Sequence, residues 1–84
     1  MTMADNFTPY HATLTPSVVQ TMRAALSSAW QKLTDDGVRL DGTAEVAVRE
    51  ILAAGIVQTA ELGERDQRRL RDAALARYAR QRLP

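Results

Sequence analysis

The sequence contains no cysteine and only one histidine, one lysine and one tryptophan. The absence of cysteine excludes a disulfide framework, a cysteine zinc site and a thiol nucleophile. The only lysine, Lys32, follows no glycine-rich stretch, so the chain has no phosphate-binding P-loop. It also lacks any window of about 20 nearly uncharged apolar residues, which leaves no candidate for a membrane-spanning helix.

Large aromatic side chains are scarce, with one Phe, one Trp and two Tyr in 84 residues. Alanine and arginine are abundant instead, and both rank near the top in helix propensity. A chain this short buries only about 60% of the surface that its unfolded form exposes, and alanine-rich helices fill little volume each. We therefore predict an all-α domain whose stability is completed by self-association or by a partner.

The first 14 residues show no helical periodicity. Pro9 and Pro16 favour extended geometry in the residues that precede them. We interpret residues 1–14 as an N-terminal arm and residues 15–84 as a single helical domain. The arm lacks a basic start followed by an apolar run, so we expect no signal peptide and a cytoplasmic location.

Apolar periodicity and end signals predict three helices, at about residues 16–36, 43–62 and 66–81. Thr15 is a good N-cap for the first, and Pro16 suits the first helical position. Gly37 and Gly63 follow predicted helices and can adopt the left-handed conformation that ends one. Short connections favour antiparallel neighbours, so we expect an up-down-up three-helix bundle with an N-terminal arm.

Each predicted helix has an apolar stripe of a different strength. The first helix carries Val19, Met22, Leu26, Trp30 and Leu33, with Ala29 beside them. The third helix carries only Leu70, Ala74 and Tyr78 at spacings of four. This weak face makes the third helix unsuitable as a membrane anchor.

The second helix is apolar over more than half of its circumference. Its main face, which we predict to form the combined core and dimer interface, contains Val48, Ile51, Leu52, Gly55 and Ile56. A neighbouring face contains Val46, Ala53, Val57 and Ala60. Two other helices of one chain can hardly cover such a surface. We therefore predict a homodimer that buries helix two through one self-complementary patch.

Two residues of the second helix leave alternatives open. A glycine in mid-helix, such as Gly55, costs about 1 kcal/mol relative to alanine. Either another helix backbone crosses closely there, or the position simply tolerates a small residue. Glu50 lies beside the apolar face, and its carboxylate, if covered, needs a cation from Arg49, Arg39 or a partner chain.

Charge is distributed unevenly, although the net charge is only +1. Residues 1–63 contain four basic and seven acidic side chains, whereas residues 64–84 contain seven arginines and three acids. Such a basic segment suggests an acidic protein partner or nucleic acid. The candidate contact residues, on one broad arc of the third helix, are Arg65, Arg68, Arg69 and Arg80.

The same arginines have a simpler interpretation as a solvated helix face. They spread widely around the helix, and i,i+4 pairs such as Glu64 with Arg68 and Arg68 with Asp72 stabilise an exposed helix. A helix-turn-helix is also disfavoured, because that motif uses shorter helices than those predicted here. We therefore rank nucleic acid below a protein partner, without excluding it.

No cluster of residues indicates catalysis. His11 lies in the predicted arm with no Ser or Cys nucleophile beside it, and we interpret it as a surface residue. Asp5 and His11 alone supply too few ligands for a metal ion. We therefore expect no enzyme activity, no metal and no cofactor.

The stretch GERDQRRLRDAALARYAR, residues 63–80, with the preceding AAGIVQTAELG, resembles the C-terminal part of small proteins from GC-rich alphaproteobacteria. These are uncharacterised proteins with no assigned activity. The resemblance implies a bacterial origin and a cytoplasmic location. It implies no functional residue.

Two hypotheses for function follow from the sequence. The first is a small non-enzymatic interaction or regulatory module that acts as a homodimer and docks on a larger protein. The second is a nucleic-acid-associated protein that uses the arginine-rich C-terminal helix. Salt separates them, because binding through several phosphates weakens steeply between about 50 and 200 mM salt. A contact dominated by apolar burial changes far less.

Ile56→Asp is expected to unfold or dissociate the protein, because it places a carboxylate on the main apolar face of helix two. Circular dichroism and a solution mass measurement check this outcome. A folded variant of unchanged mass would remove helix two from the core.

Overall fold

A computed structural model describes residues 14–39 and 41–82 of the chain. Within these ranges the chain forms three α-helices and no strand: α1, Pro16–Asp35; α2, Gly42–Glu61; and α3, Gln67–Arg82. The all-α three-helix prediction is confirmed, and every boundary falls within one residue of the predicted one. The predicted arm, with Asp5 and His11, lies outside the described residues except for Leu14, which is exposed.

Helix α1 begins and ends as its sequence signals predict. The Thr15 hydroxyl accepts a hydrogen bond from the Val18 amide at 3.3 Å, and Pro16 occupies the first helical position. Gly37 has φ +89° and Gly63 has φ +105°, which is the left-handed region that lets a chain leave a helix. The two glycines thus separate the three helices by short turns.

Helices α2 and α3 begin in different ways. The N-cap of α2 is Asp41, but its side chain makes no capping hydrogen bond. In α3, the Asp66 carboxylate accepts hydrogen bonds from the amides of Arg68, at 2.8 Å, and Arg69, at 3.3 Å. Asp66 therefore satisfies two amides that the first turn of a helix leaves unpaired.

The core lies between the three helices and consists of medium and small side chains. Its buried members are Ala25, Ala29, Leu33, Val48, Leu52, Ile56, Ala60, Leu70 and Ala74. Larger side chains pack at its margin, among them Met22, Leu26, Trp30, Leu75 and Tyr78. Alanine at the centre lets the helices approach closely, and the larger residues consequently lie where solvent still reaches them.

Helix α3 packs closely against α2 at Gly55. A Cβ atom built on Gly55 would lie 3.1 Å from Ala74 Cα and 3.2 Å from the Ala73 carbonyl oxygen. Of the two explanations for this glycine, the close crossing of another helix is therefore the correct one. The crossing helix belongs to the same chain.

Gly55→Leu is expected to lower the free energy of unfolding by about 2 kcal/mol, because backbone atoms of α3 occupy the space that the side chain needs. Ala47→Leu is the matched control, since Ala47 is exposed on the same helix, and its effect should stay within about 0.5 kcal/mol. Urea denaturation followed by circular dichroism measures both variants. Equal stability of the two would contradict the close crossing.

Candidate interaction surface

The side of α2 that faces away from Gly55 is apolar and open. Val46 is 60% exposed and Val57 is 37% exposed, and Ala53 between them is half-buried. These residues belong to the second apolar face that the sequence indicates for this helix. Because α3 packs against the Gly55 side of α2, it leaves this face uncovered.

Helix α1 continues the open surface through two shallow grooves. The first, of about 150 Å³, is lined by Val19, Met22, Arg23, Leu26, Ala53, Ile56 and Val57. The second, of about 310 Å³, is lined by Leu26, Glu45, Val46, Arg49, Glu50 and Ala53. The grooves share Leu26 and Ala53 and so form one continuous surface. We call it the α1/α2 strip, defined by Val19, Met22, Leu26, Val46, Ala53 and Val57.

The two ends of the α1/α2 strip carry opposite charge. Arg23 lines one end, whereas Glu45, Arg49 and Glu50 line the other. An Arg49 nitrogen lies 3.5 Å from a Glu45 carboxylate oxygen, so these two charges offset each other and the charge of Glu50 remains. Neither Arg23 nor Glu50 forms an ion pair with another residue in the described part of the chain.

Arg49 is also held in place by α1. Its Cζ atom lies 4.6 Å from the centroid of the Trp30 ring, a distance at which the ring face attracts the guanidinium group. Arg49 therefore joins α2 to α1 at this end of the strip. Its contacts lie within the chain, whereas Glu50 is exposed.

The residues predicted as the combined core and dimer interface differ in how deeply they are buried. Val48, Leu52, Gly55 and Ile56 are buried by the other helices of the same chain, and Ile51 is half-buried. With Ile56 only 2% exposed, the structure favours unfolding over dissociation for Ile56→Asp.

The open surface lies on the neighbouring face, and sequence reasoning missed part of it. The α2 members of the strip are visible as a second apolar face. The α1 members are Val19, Met22 and Leu26. They belong to the apolar stripe of that helix, whose spacing predicts core residues. Arg23 was not predicted as a site residue. Its position directly after Met22, at the flank of that stripe, is the sequence feature that could have indicated it.

Two arginines of the C-terminal segment make contacts within the chain. Arg65 Nη1 donates hydrogen bonds to the carbonyl oxygens of Ala60 and Glu64, both at 2.8 Å, and Ala60 belongs to the last turn of α2. Arg69 lies 3.8 Å from a Glu64 carboxylate oxygen. All four predicted contact residues are exposed, and neither Arg68 nor Arg80 forms an ion pair with another described residue.

The ion pairs of α3 differ from those that the spacing predicts. Glu64 pairs with Arg69 rather than Arg68, and Asp72 pairs with Arg71, at 2.8 Å, rather than with Arg68. The first difference arises because Glu64 precedes α3, so helical spacing does not apply to it.

A further arginine joins α3 to α2. Arg77 Nη1 donates a hydrogen bond to Gln58 Oε1 at 2.8 Å. Some arginines of the C-terminal segment thus take part in contacts between helices.

The described residues contain no group of three or more acidic or histidine side chains that could hold a metal ion. None of the three helices is sufficiently long and apolar to cross a membrane. No protein-family profile, no curated protein and no solved structure matches the chain.

Arg65→Met is expected to lower the free energy of unfolding by about 1 kcal/mol, because it removes the donor to the Ala60 carbonyl oxygen in the last turn of α2. Arg80→Met is the matched control: Arg80 is exposed on the same segment, and its loss should leave stability within about 0.5 kcal/mol. Thermal and urea denaturation measure both variants. Unchanged stability of Arg65→Met would show that Arg65 has no structural role.

Proposed function

We propose that the protein is a small non-enzymatic interaction or regulatory module that works as a homodimer. The observation that carries this proposal is the α1/α2 strip, an apolar surface that continues across two helices. The resemblance of residues 63–80 to alphaproteobacterial proteins supports a bacterial, cytoplasmic setting. No catalytic residue, metal or cofactor enters the proposal.

The free-energy cost of exposing apolar side chains to water supports a binding role for the strip. Single exposed apolar residues are normal on protein surfaces, but contiguous apolar patches mark contact sites. Val46 and Val57 face solvent on the same side of one helix, beside the apolar flank of another. Covering them removes apolar surface from water and contributes about 25 cal/mol per Å².

The size of the surface fits a dimer of small subunits. Helices α1 and α2 have 20 residues each. They are therefore about 30 Å long, and with a spacing of about 10 Å their outer face measures roughly 600 Å² in projection. A stable interface buries about 800 Å² of accessible surface per partner, which is of the same order.

A dimer formed through the strip leaves the basic helix available. Helix α3 packs on the opposite side of α2, at Gly55, so it lies on the outside of such a dimer. Arg68 and Arg80 would then be presented twice, once by each subunit. This arrangement suits an acidic surface of a larger protein as the second partner.

Nucleic acid is the alternative partner for the same arginines. The contacts of Arg65, Arg71 and Arg77 within the chain favour the protein-partner proposal, because they leave fewer cations to neutralise a row of phosphates. Binding of a labelled oligonucleotide that weakens steeply between about 50 and 200 mM salt, and that Arg68→Gln with Arg80→Gln abolishes, would reverse this ranking.

The proposal is tested by measuring mass in solution over a range of concentrations. We expect twice the 9.3 kDa chain mass at high concentration. The double variant Val46→Gln, Val57→Gln should raise the dissociation constant at least about a hundredfold, because burial of each valine contributes about 1.5 kcal/mol or more.

Leu62→Gln is the matched control for the double variant. Leu62 is 88% exposed but lies at the end of α2, outside the strip, so its replacement should leave the dissociation constant unchanged. Circular dichroism confirms that all variants remain helical. A wild-type chain that stays monomeric at every concentration would overturn the proposal.

A further inference from the structure

We infer that two copies of the chain meet across the α1/α2 strip about a two-fold axis that sets Arg23 of each copy against Glu50 of the other. This inference rests on the proposed homodimer and adds its arrangement and the residues that select it. It is carried by the opposite charges at the two ends of a continuous apolar surface. In such a dimer the Glu50 carboxylate is covered, and Arg23 of the other copy supplies the cation that a covered carboxylate needs.

The apolar centre of the strip lies between the two charged ends. Leu26 and Ala53 line both grooves, whereas Arg23 lines only the first and Glu50 only the second. A two-fold axis in the plane of the contact that passes midway between Arg23 and Glu50, at right angles to the line that joins them, exchanges the positions of the two residues. It therefore stacks the apolar centre on its own copy and brings each end over the opposite end.

Charge selects this axis over the alternative. An axis along the line from Arg23 to Glu50 would set each residue against its own copy, with like charges facing each other. Like charges in an interface cost free energy, whereas opposite charges steer and register association. The exchanging axis forms two Arg23–Glu50 pairs, and both groups lack an ion-pair partner among the described residues.

Other charges at the strip do not disturb this arrangement. Glu45 and Arg49 lie at the Glu50 end, but they pair with each other at 3.5 Å, and Arg49 is held over Trp30. The end that contains Glu50 is thus negative by one charge, and the end that contains Arg23 is positive by one. The strips of two copies are complementary in charge only when the Arg23 end of each strip faces the Glu50 end of the other.

Charge reversal gives a sharp test. In a homodimer of Arg23→Glu, or of Glu50→Arg, both pairs become like-charged, so each variant alone should raise the dissociation constant at least about tenfold at low salt. In a 1:1 mixture of the two variants, one subunit is acidic at both positions and the other basic. Both pairs are then restored, so the mixture should form a heterodimer with the wild-type dissociation constant.

Sedimentation velocity measures the homodimers, and a fluorescent label on one variant follows the mixture. Arg80→Glu and Asp35→Arg are the matched controls: they make the same changes in charge at exposed sites outside the strip and should leave dimerisation unchanged. Circular dichroism verifies that each exposed substitution leaves the helices intact.

The possible results separate this inference from the proposed function. Weakened single variants and a restored mixture support the Arg23–Glu50 arrangement. Single variants that dimerise like the wild type, or a mixture that stays monomeric, overturn the arrangement while the Val46 and Val57 variants still test the strip. A monomeric wild type overturns the proposed function itself, and this inference with it.

Discussion

The close approach of α2 and α3 at Gly55 determines how the rest of the molecule is exposed. With Ala74 Cα 3.1 Å from where a Cβ would lie, α3 is committed to one side of α2. The opposite side of α2, with Val46 and Val57, then depends on α1 alone for cover. The buried face of α1 is centred on Ala25 and Ala29. These small side chains cover the core but do not extend over the two valines.

The same geometry explains how a strongly basic segment serves the fold. Arg65 completes the C-terminal end of α2 and Arg77 reaches Gln58 across the crossing. These contacts hold α3 in position although its apolar face is weak, with Leu70 and Ala74 as its fully buried members. Arginine suits this role because its guanidinium group offers several fixed donors at the end of a long stem.

Much of the fold and part of the candidate site are predictable from sequence for local reasons. Thr15, Pro16 and Gly63 act through hydrogen bonds or dihedral angles of neighbouring residues, so the helix ends follow directly. The second apolar face of α2 follows from helical periodicity. Its combination with the flank of α1, and the opposite charges of Arg23 and Glu50 at its ends, do not, because they depend on how two helices are rotated about their axes.

By itself, the sequence determined the all-α class, the three helices with their boundaries, the two apolar faces of α2, and the basic character of the C-terminal segment. These properties depend on residues within a few turns of one another. Only the tertiary structure decided that Gly55 meets α3 of the same chain and that Arg65 is engaged within the fold. It also decided which apolar residues stay open, because packing between distant segments chooses among faces that periodicity leaves equivalent.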